Sequence, residues 1–147
     1  MRSGWVAYAA MTVLTAGLAS CSGGSSVEDA WVRLPAVPGR PAAAYVTLHG
    51  GNSDDALVAV TAPAATRIEL HQSMRGHGPM GTMHPIDRVP LPAGAKVRLA
   101  PGGIHAMIFG LSGDLRPGET LPMTFRFAGG RTVAAQALLI AAGDPAP

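Results

Sequence analysis

The feature that most constrains this chain is its punctuation. From Val27 onward, short runs of alternating or branched apolar residues are separated at close spacing by Pro, Gly, Asn and Asp, drawn from 19 Gly and 13 Pro in 147 residues. No long helical repeat competes with that pattern, which is the one expected of an all-β sandwich or barrel. Strands are predicted at Val27 to Leu34, Ala43 to Gly50, Leu57 to Thr61, Arg67 to Gln72, Pro85 to Val89, Lys96 to Leu99, His105 to Gly110, Thr120 to Phe127 and Thr132 to Ile140. Turn chemistry lies between them, as at Gly50 to Asp54, Pro92-Ala93-Gly94, Pro101-Gly102-Gly103, Arg116-Pro117-Gly118 and Gly129-Gly130. The length leaves room for one globular domain, 27–142, with a frayed tail at 143–147.

Residues 1–20 have the form of an export signal. One positive charge, Arg2, precedes an apolar stretch from Trp5 through Leu18. The stretch is short for a membrane span of about 20 residues. It ends in Leu18-Ala19-Ser20-Cys21, a bacterial lipobox pattern, and Cys21 is the only cysteine in the chain. Cys21 is therefore the expected lipid attachment site, and Ser22 to Ser26 is a Gly/Ser run expected to act as a flexible tether. Together these expectations place the domain outside the cytoplasm, on the outer face of the cell membrane or in the periplasm.

Exported proteins meet oxidising conditions, in which free thiol pairs become disulfides. The body has no thiol at all, so it carries no disulfide, no CxxC motif and no thiolate metal ligand. Net charge is +2, and the basic residues beyond Arg2 are scattered from Arg33 to Arg131 without a basic stripe. Nucleic acid is not an expected partner. Hydrolysis by a serine or cysteine nucleophile has no motif here, and blue-copper electron transfer requires a cysteine that the domain lacks. An enzyme is not expected.

What the domain has instead is methionine and histidine. Most of them fall between His71 and Met107, and His71, Met74, His77, Met80, Met83 and His84 crowd a stretch containing Gly76, Gly78 and Gly81. Thioethers do not gather on a glycine-rich segment for packing. Period-two alternation puts His71 with Arg67 and Glu69 on the face away from the core, and His105 and Met107 on the face opposite Ile104, Ala106 and Ile108. His105 and Met107 then stand about 7 Å apart at Cα. Two neutral thioethers with two imidazoles suit copper(I) better than the harder zinc, calcium or magnesium ions. Methionine also supplies a soft donor that no disulfide can consume. Such a site would weaken as pH falls through the ordinary imidazole range near about 6.5.

The order His71, eleven residues, Met83, twenty-one residues, His105, one residue, Met107 resembles the ligand signature of the periplasmic copper A chaperone (PCuAC) family. Ala30-Trp31-Val32-Arg33, Ala43-Ala44-Tyr45, Met83-His84-Pro85-Ile86, Leu91-Pro92-Ala93-Gly94 and Leu99 to Met107 agree with it, over about Glu28 to Leu139. The resemblance implies a Greek-key, cupredoxin-like β-sandwich or barrel. It also implies a copper(I) site at His71, Met83, His105 and Met107. The implied recipient is the copper A centre of cytochrome c oxidase, reached directly or through a thiol-bearing chaperone. Met74, His77, Met80 and His84 are candidate auxiliary ligands. Alternatives are a copper-sequestering or resistance lipoprotein without a dedicated recipient, and a metal-free scaffold or adhesion lipoprotein. His49 is expected as a solvated turn residue, and Met123, Trp31 and Tyr45 as structural.

Overall fold

The computed structural model describes residues 23–74 and 81–147. Ten strands run in chain order: β1 (Ser26–Arg33), β2 (Ala42–His49), β3 (Asp55–Thr61), β4 (Arg67–Met74), β5 (Thr82–Pro85), β6 (Val89–Leu91), β7 (Lys96–Leu99), β8 (Ile104–Phe109), β9 (Thr120–Phe127) and β10 (Thr132–Ile140). No helix occurs among the described residues. The strands form one sheet in the order β5-β4-β8-β2-β1-β10-β9-β3-β6, with β7 paired to β2 off that path. Among the described residues, only the β1–β10 pairing is parallel. The sheet curls until β3 touches β4, so its inward faces share one core. This is the expected all-β, cupredoxin-like architecture.

Strand β9 shows why the sequence folds this way. Leu121, Met123, Phe125 and Phe127 are buried while the residues between them are exposed, the strict period of a half-buried strand. Met123 is core, as expected. Strand β2 sends Ala42, Ala44, Val46 and Leu48 inward, which turns Ala43, Tyr45 and Thr47 to the other face.

Strand β1 changes phase. Val27 packs toward the core, yet Val32 is the fully buried residue beyond it, an even position after an odd one. The register explains the switch: the four residues from Glu28 to Trp31 oppose the three from Thr47 to Tyr45, a β-bulge. Asp29, inside it, has φ of 50°. Asp tolerates that left-handed conformation better than most residues. The extra residue turns Trp31 outward to oppose Tyr45.

Three expectations change. The strand expected at Pro85 to Val89 is divided: β5 ends at Pro85, Ile86 donates its N–H to the Leu70 carbonyl (2.9 Å), and β6 begins at Val89. The chain has to leave β4 there and cross to β3, where Leu91 opposes Asp55, so no single straight strand can serve both partners. Strand β4 runs two residues past Gln72, because Met74 opposes Thr82 in a regular hairpin ladder. Within the tether expected at 22–26, Ser25 is 3% exposed with its hydroxyl on Asp55 (3.3 Å), the Gly23 carbonyl accepts from Asn52 N–H (2.7 Å), and Ser26 already belongs to β1. The 143–147 tail contains no strand, and Ala146 and Pro147 line a cleft beside Trp31. The export signal and Cys21 lie outside the described residues.

Candidate metal centre

Strands β4 and β8 pair antiparallel in unbroken register, Arg67 opposite Phe109, Glu69 opposite Met107 and His71 opposite His105. Directly opposed residues share a face, so these six side chains form two facing columns on the side of the sheet away from Leu70, Ala106 and Ile108. The hairpin adds a third column, because Ser73 opposes Met83 and stands two residues from His71. Met83, His71, His105 and Met107 therefore run diagonally across three adjacent strands on one face. On the far side of β8, Ala43 opposes Met107, and Tyr45 lies two residues along from Ala43.

The surroundings are aromatic on one side and open on the other. Tyr45 sits 6.3 Å from His105 between ring centroids, and Trp31 lies 4.3 Å beyond Tyr45 at a 33° tilt. His105 is consequently buried, at 4% exposure, rather than near the surface as alternation alone suggests. Burial pushes the Tyr45 phenol pKa up, against the opposing pull of Arg33. Met83, on the edge strand, is 53% exposed. A burial gradient runs from β8 to β5.

Hydrogen bonds decide what the two imidazoles can offer. A carbonyl oxygen only accepts, so the 3.1 Å contact between His105 Nδ1 and the Gly103 carbonyl requires the proton on Nδ1. The lone pair of the neutral His105 ring is then on Nε2. His71 Nε2 lies 3.1 Å from a carboxylate oxygen of Glu69, whose other oxygen accepts from Arg67 Nε at 2.7 Å. The hydrogen bonds from Arg67 and then His71 hold the Glu69 carboxyl below the usual carboxylate range. His71 Nδ1 is buried with no hydrogen-bond partner among the described residues. Such an orphaned atom in a native fold calls for a partner.

The two rings stand 6.1 Å apart between centroids. With a metal–imidazole bond of about 2.0–2.1 Å, and a nitrogen about 1.2 Å from its ring centre, two rings can share an ion up to a separation of about 6.5 Å. The observed spacing fits one shared ion. Among the described residues, no three of His, Cys, Asp and Glu cluster as a metal site, and the further soft donors on this face are the thioethers of Met83 and Met107.

The remaining sequence candidates separate. Met74 and His84 lie on the opposite face of the hairpin, since Met74 opposes Thr82 and Gln72 opposes His84. They do not join the four-residue diagonal, because one residue of offset in a strand reverses the face. His77 and Met80 lie outside the described residues. His71 sits in β4, inside its predicted strand, whereas Met83, which lay outside every predicted strand, sits in β5. His49 is held by Glu28 at 2.8 Å. Two neighbours expected only as structural, Tyr45 and Trp31, wall in His105, and Glu69, weighed from sequence as either a support of the site or plain surface, holds His71. Glu69 was detectable, two residues before His71 on the same face. The orientation of Trp31 depends on the bulge.

The family model described as "Putative lipoprotein LpqE-like" matches residues 25–138. A curated relative, "Putative lipoprotein Lxx21020" of Leifsonia xyli subsp. xyli (strain CTCB07), is 33% identical over 109 residues, 74% of this chain and 65% of that protein. The chain thus spans less than two thirds of that relative's length. Among solved structures, the apo PCuAC domain from PmoF1 is 29% identical with a TM-score of 0.67, over 81% of this chain and 95% of that one. The solution structure of CuI-DR1885 from Deinococcus radiodurans is 30% identical with a TM-score of 0.58, over 80% and 75%. The copper-bound PCuAC domain from PmoF2, 23% identical with a TM-score of 0.65 over 81% and 94%, shares the fold. With the family model matching well over half of its length, the chain belongs to the LpqE-like lipoprotein family, within the periplasmic copper A chaperone (PCuAC) group.

Proposed function

We propose that this protein is an extracytoplasmic copper(I) carrier that binds one ion through His71, Met83, His105 and Met107. The observation that carries the reading is the arrangement of two imidazoles and two thioethers on one face of β5, β4 and β8. Neutral soft donors favour copper(I) and leave its charge uncompensated, which suits a carrier that surrenders the ion to a thiolate-bearing site. Support also comes from similarity to a structure described as copper(I)-bound, that of DR1885. Hand-over starts at Met83, the exposed donor on the edge strand, while His105 is held beneath Tyr45. The copper A centre of cytochrome c oxidase is the recipient that the family implies, with or without a thiol-bearing helper. Attachment through a lipid on Cys21 accords with the lipoprotein names of the family and the relative.

The test is a competitive copper(I) titration of the folded domain, with zinc as control, beside the Met83→Leu/Met107→Leu double variant. One tight copper(I) equivalent in the parent, lost in the variant, is expected. Equal copper(I) affinity in the two would overturn the ligand assignment.

A further inference from the structure

We propose that Glu69 is a positioning residue that fixes the proton of His71 on Nε2, so that copper(I) is taken by Nδ1 of His71 and Nε2 of His105. This deepens the copper-carrier reading and rests on it.

The argument begins at the far end of the two columns. The Arg67 guanidinium carbon lies 4.0 Å from the centre of the Phe109 ring, its cross-strand partner. That cation–π contact holds the guanidinium over the sheet. From there Arg67 Nε donates to one oxygen of Glu69 at 2.7 Å, and the other oxygen receives His71 Nε2–H at 3.1 Å. The carboxylate is thus secured from one side and presents a fixed acceptor on the other. An ionised carboxylate only accepts, so the hydrogen of a neutral His71 ring is drawn to Nε2 and the lone pair to Nδ1.

His105 is arranged in the opposite sense. Its Nδ1–H is taken by the Gly103 carbonyl, which also receives the Ser73 N–H at 3.1 Å. Its free nitrogen is Nε2. The two opposed rings therefore present unlike nitrogens, and the His71 nitrogen left free is the buried one, which has no hydrogen-bond partner among the described residues. A metal-ligating imidazole whose second nitrogen donates to a carboxylate or a carbonyl is held in one tautomer and one orientation. Both partners are present here, a carboxylate for His71 and a carbonyl for His105. Glu69 never touches the ion in this arrangement; it acts through His71.

The test is two-bond 1H–15N correlation spectroscopy of the histidine rings, without copper and with one equivalent of copper(I), in the parent, Glu69→Gln and Glu69→Leu. Glutamine keeps an oxygen acceptor and leucine removes it. The copper-free parent is expected to show His71 protonated on Nε2 and His105 on Nδ1. Added copper(I) should then move the 15N signals of His71 Nδ1 and His105 Nε2. Glu69→Leu should lose the single His71 tautomer and weaken copper(I) binding by about tenfold or more, while Glu69→Gln stays within about threefold of the parent. His71 protonated on Nδ1 without copper, or copper(I) seated on its Nε2, would overturn the proposal. So would a Leu variant with unchanged tautomer and affinity. Should the Leu variant fail to fold by circular dichroism, the parent spectra and the Gln variant decide alone. A parent that takes up no copper(I) would overturn the carrier reading and Nδ1 as donor, while its copper-free tautomer would still judge the Glu69 contact.

Discussion

Methionine and leucine have nearly the same volume, which separates what a thioether does as a donor from what it does as filler. At Met107, partly buried on β8 between Glu69 and Ala43, a Leu substitution should cost less than about 1.5 kcal/mol of stability. At Met83, 53% exposed, it should cost still less. Each single variant should nonetheless weaken copper(I) binding about tenfold or more, measured by competition with a chromophoric chelator. A fall in affinity that tracked a fall in melting temperature would assign these residues to packing. Tyr45 makes the opposite contrast. Tyr45→Phe keeps the ring against Trp31 and His105 and should leave stability within about 1 kcal/mol. Tyr45→Ala removes a buried aromatic ring and should cost about 3–5 kcal/mol in urea denaturation. It should also uncover His105 to solvent.

At the scale of elements, the start of β3 is tied to two distant segments by one carboxylate. Asp55 accepts from the N–H groups of Ala56 (2.8 Å) and Gly129 (2.9 Å) and from the Ser25 hydroxyl (3.3 Å). Desolvation pushes its pKa up, but these hydrogen bonds outweigh it and the net direction is down. A carboxyl depressed on folding contributes stability that is present above its unfolded pKa, near about 4, and lost as pH falls through the folded value. Asp55→Asn should therefore cost about 1–2 kcal/mol at pH 7 and markedly less at pH 3, by denaturant unfolding at both pH values. An equal loss at both would show that the charge is irrelevant. The bulge in β1 is a second such element. Asp29 adopts φ of 50°, so Asp29→Val should destabilise by about 1–2 kcal/mol and Asp29→Gly should be tolerated.

These elements also show what could be read before folding. Strand β9 was fully legible, because Leu121, Met123, Phe125 and Phe127 alternate with Pro122, Thr124 and Arg126, which are exposed, and packing asks nothing else of them. His105 and Met107 were legible for the same reason, by their offset from Ala106 and Ile108. The bulge was not, since one extra residue at Asp29 leaves no trace in composition and only a misfit in alternation between Val27 and Val32. Nor was the division of 85–89, where the crossing from β4 to β3 is decided by the far sides of the sheet. The burial of His105 likewise needed Tyr45, which is sixty residues away in sequence and adjacent in space.

For the whole molecule, the curl of a single sheet supplies a rigid wall, and three adjacent strands present candidate donors along a gradient from buried to exposed. A thiol-free body in a lipoprotein family is consistent with an ion carrier that must work where thiols oxidise. In the domain from residue 23 onward, Trp31 is the sole tryptophan, and it stacks on the tyrosine that borders His105. Its emission should change on copper(I) addition and reach a plateau at one equivalent. An unchanged spectrum at saturation would argue that the ion sits elsewhere. The central claim, that one copper(I) ion is held by two thioethers and two imidazoles, is tested most directly by X-ray absorption at the copper edge of the loaded domain. The account predicts a first shell of sulfur together with imidazole nitrogen, the sulfur part diminishing in Met83→Leu and again in the double variant with Met107→Leu; a shell of nitrogen and oxygen alone in the parent would contradict it.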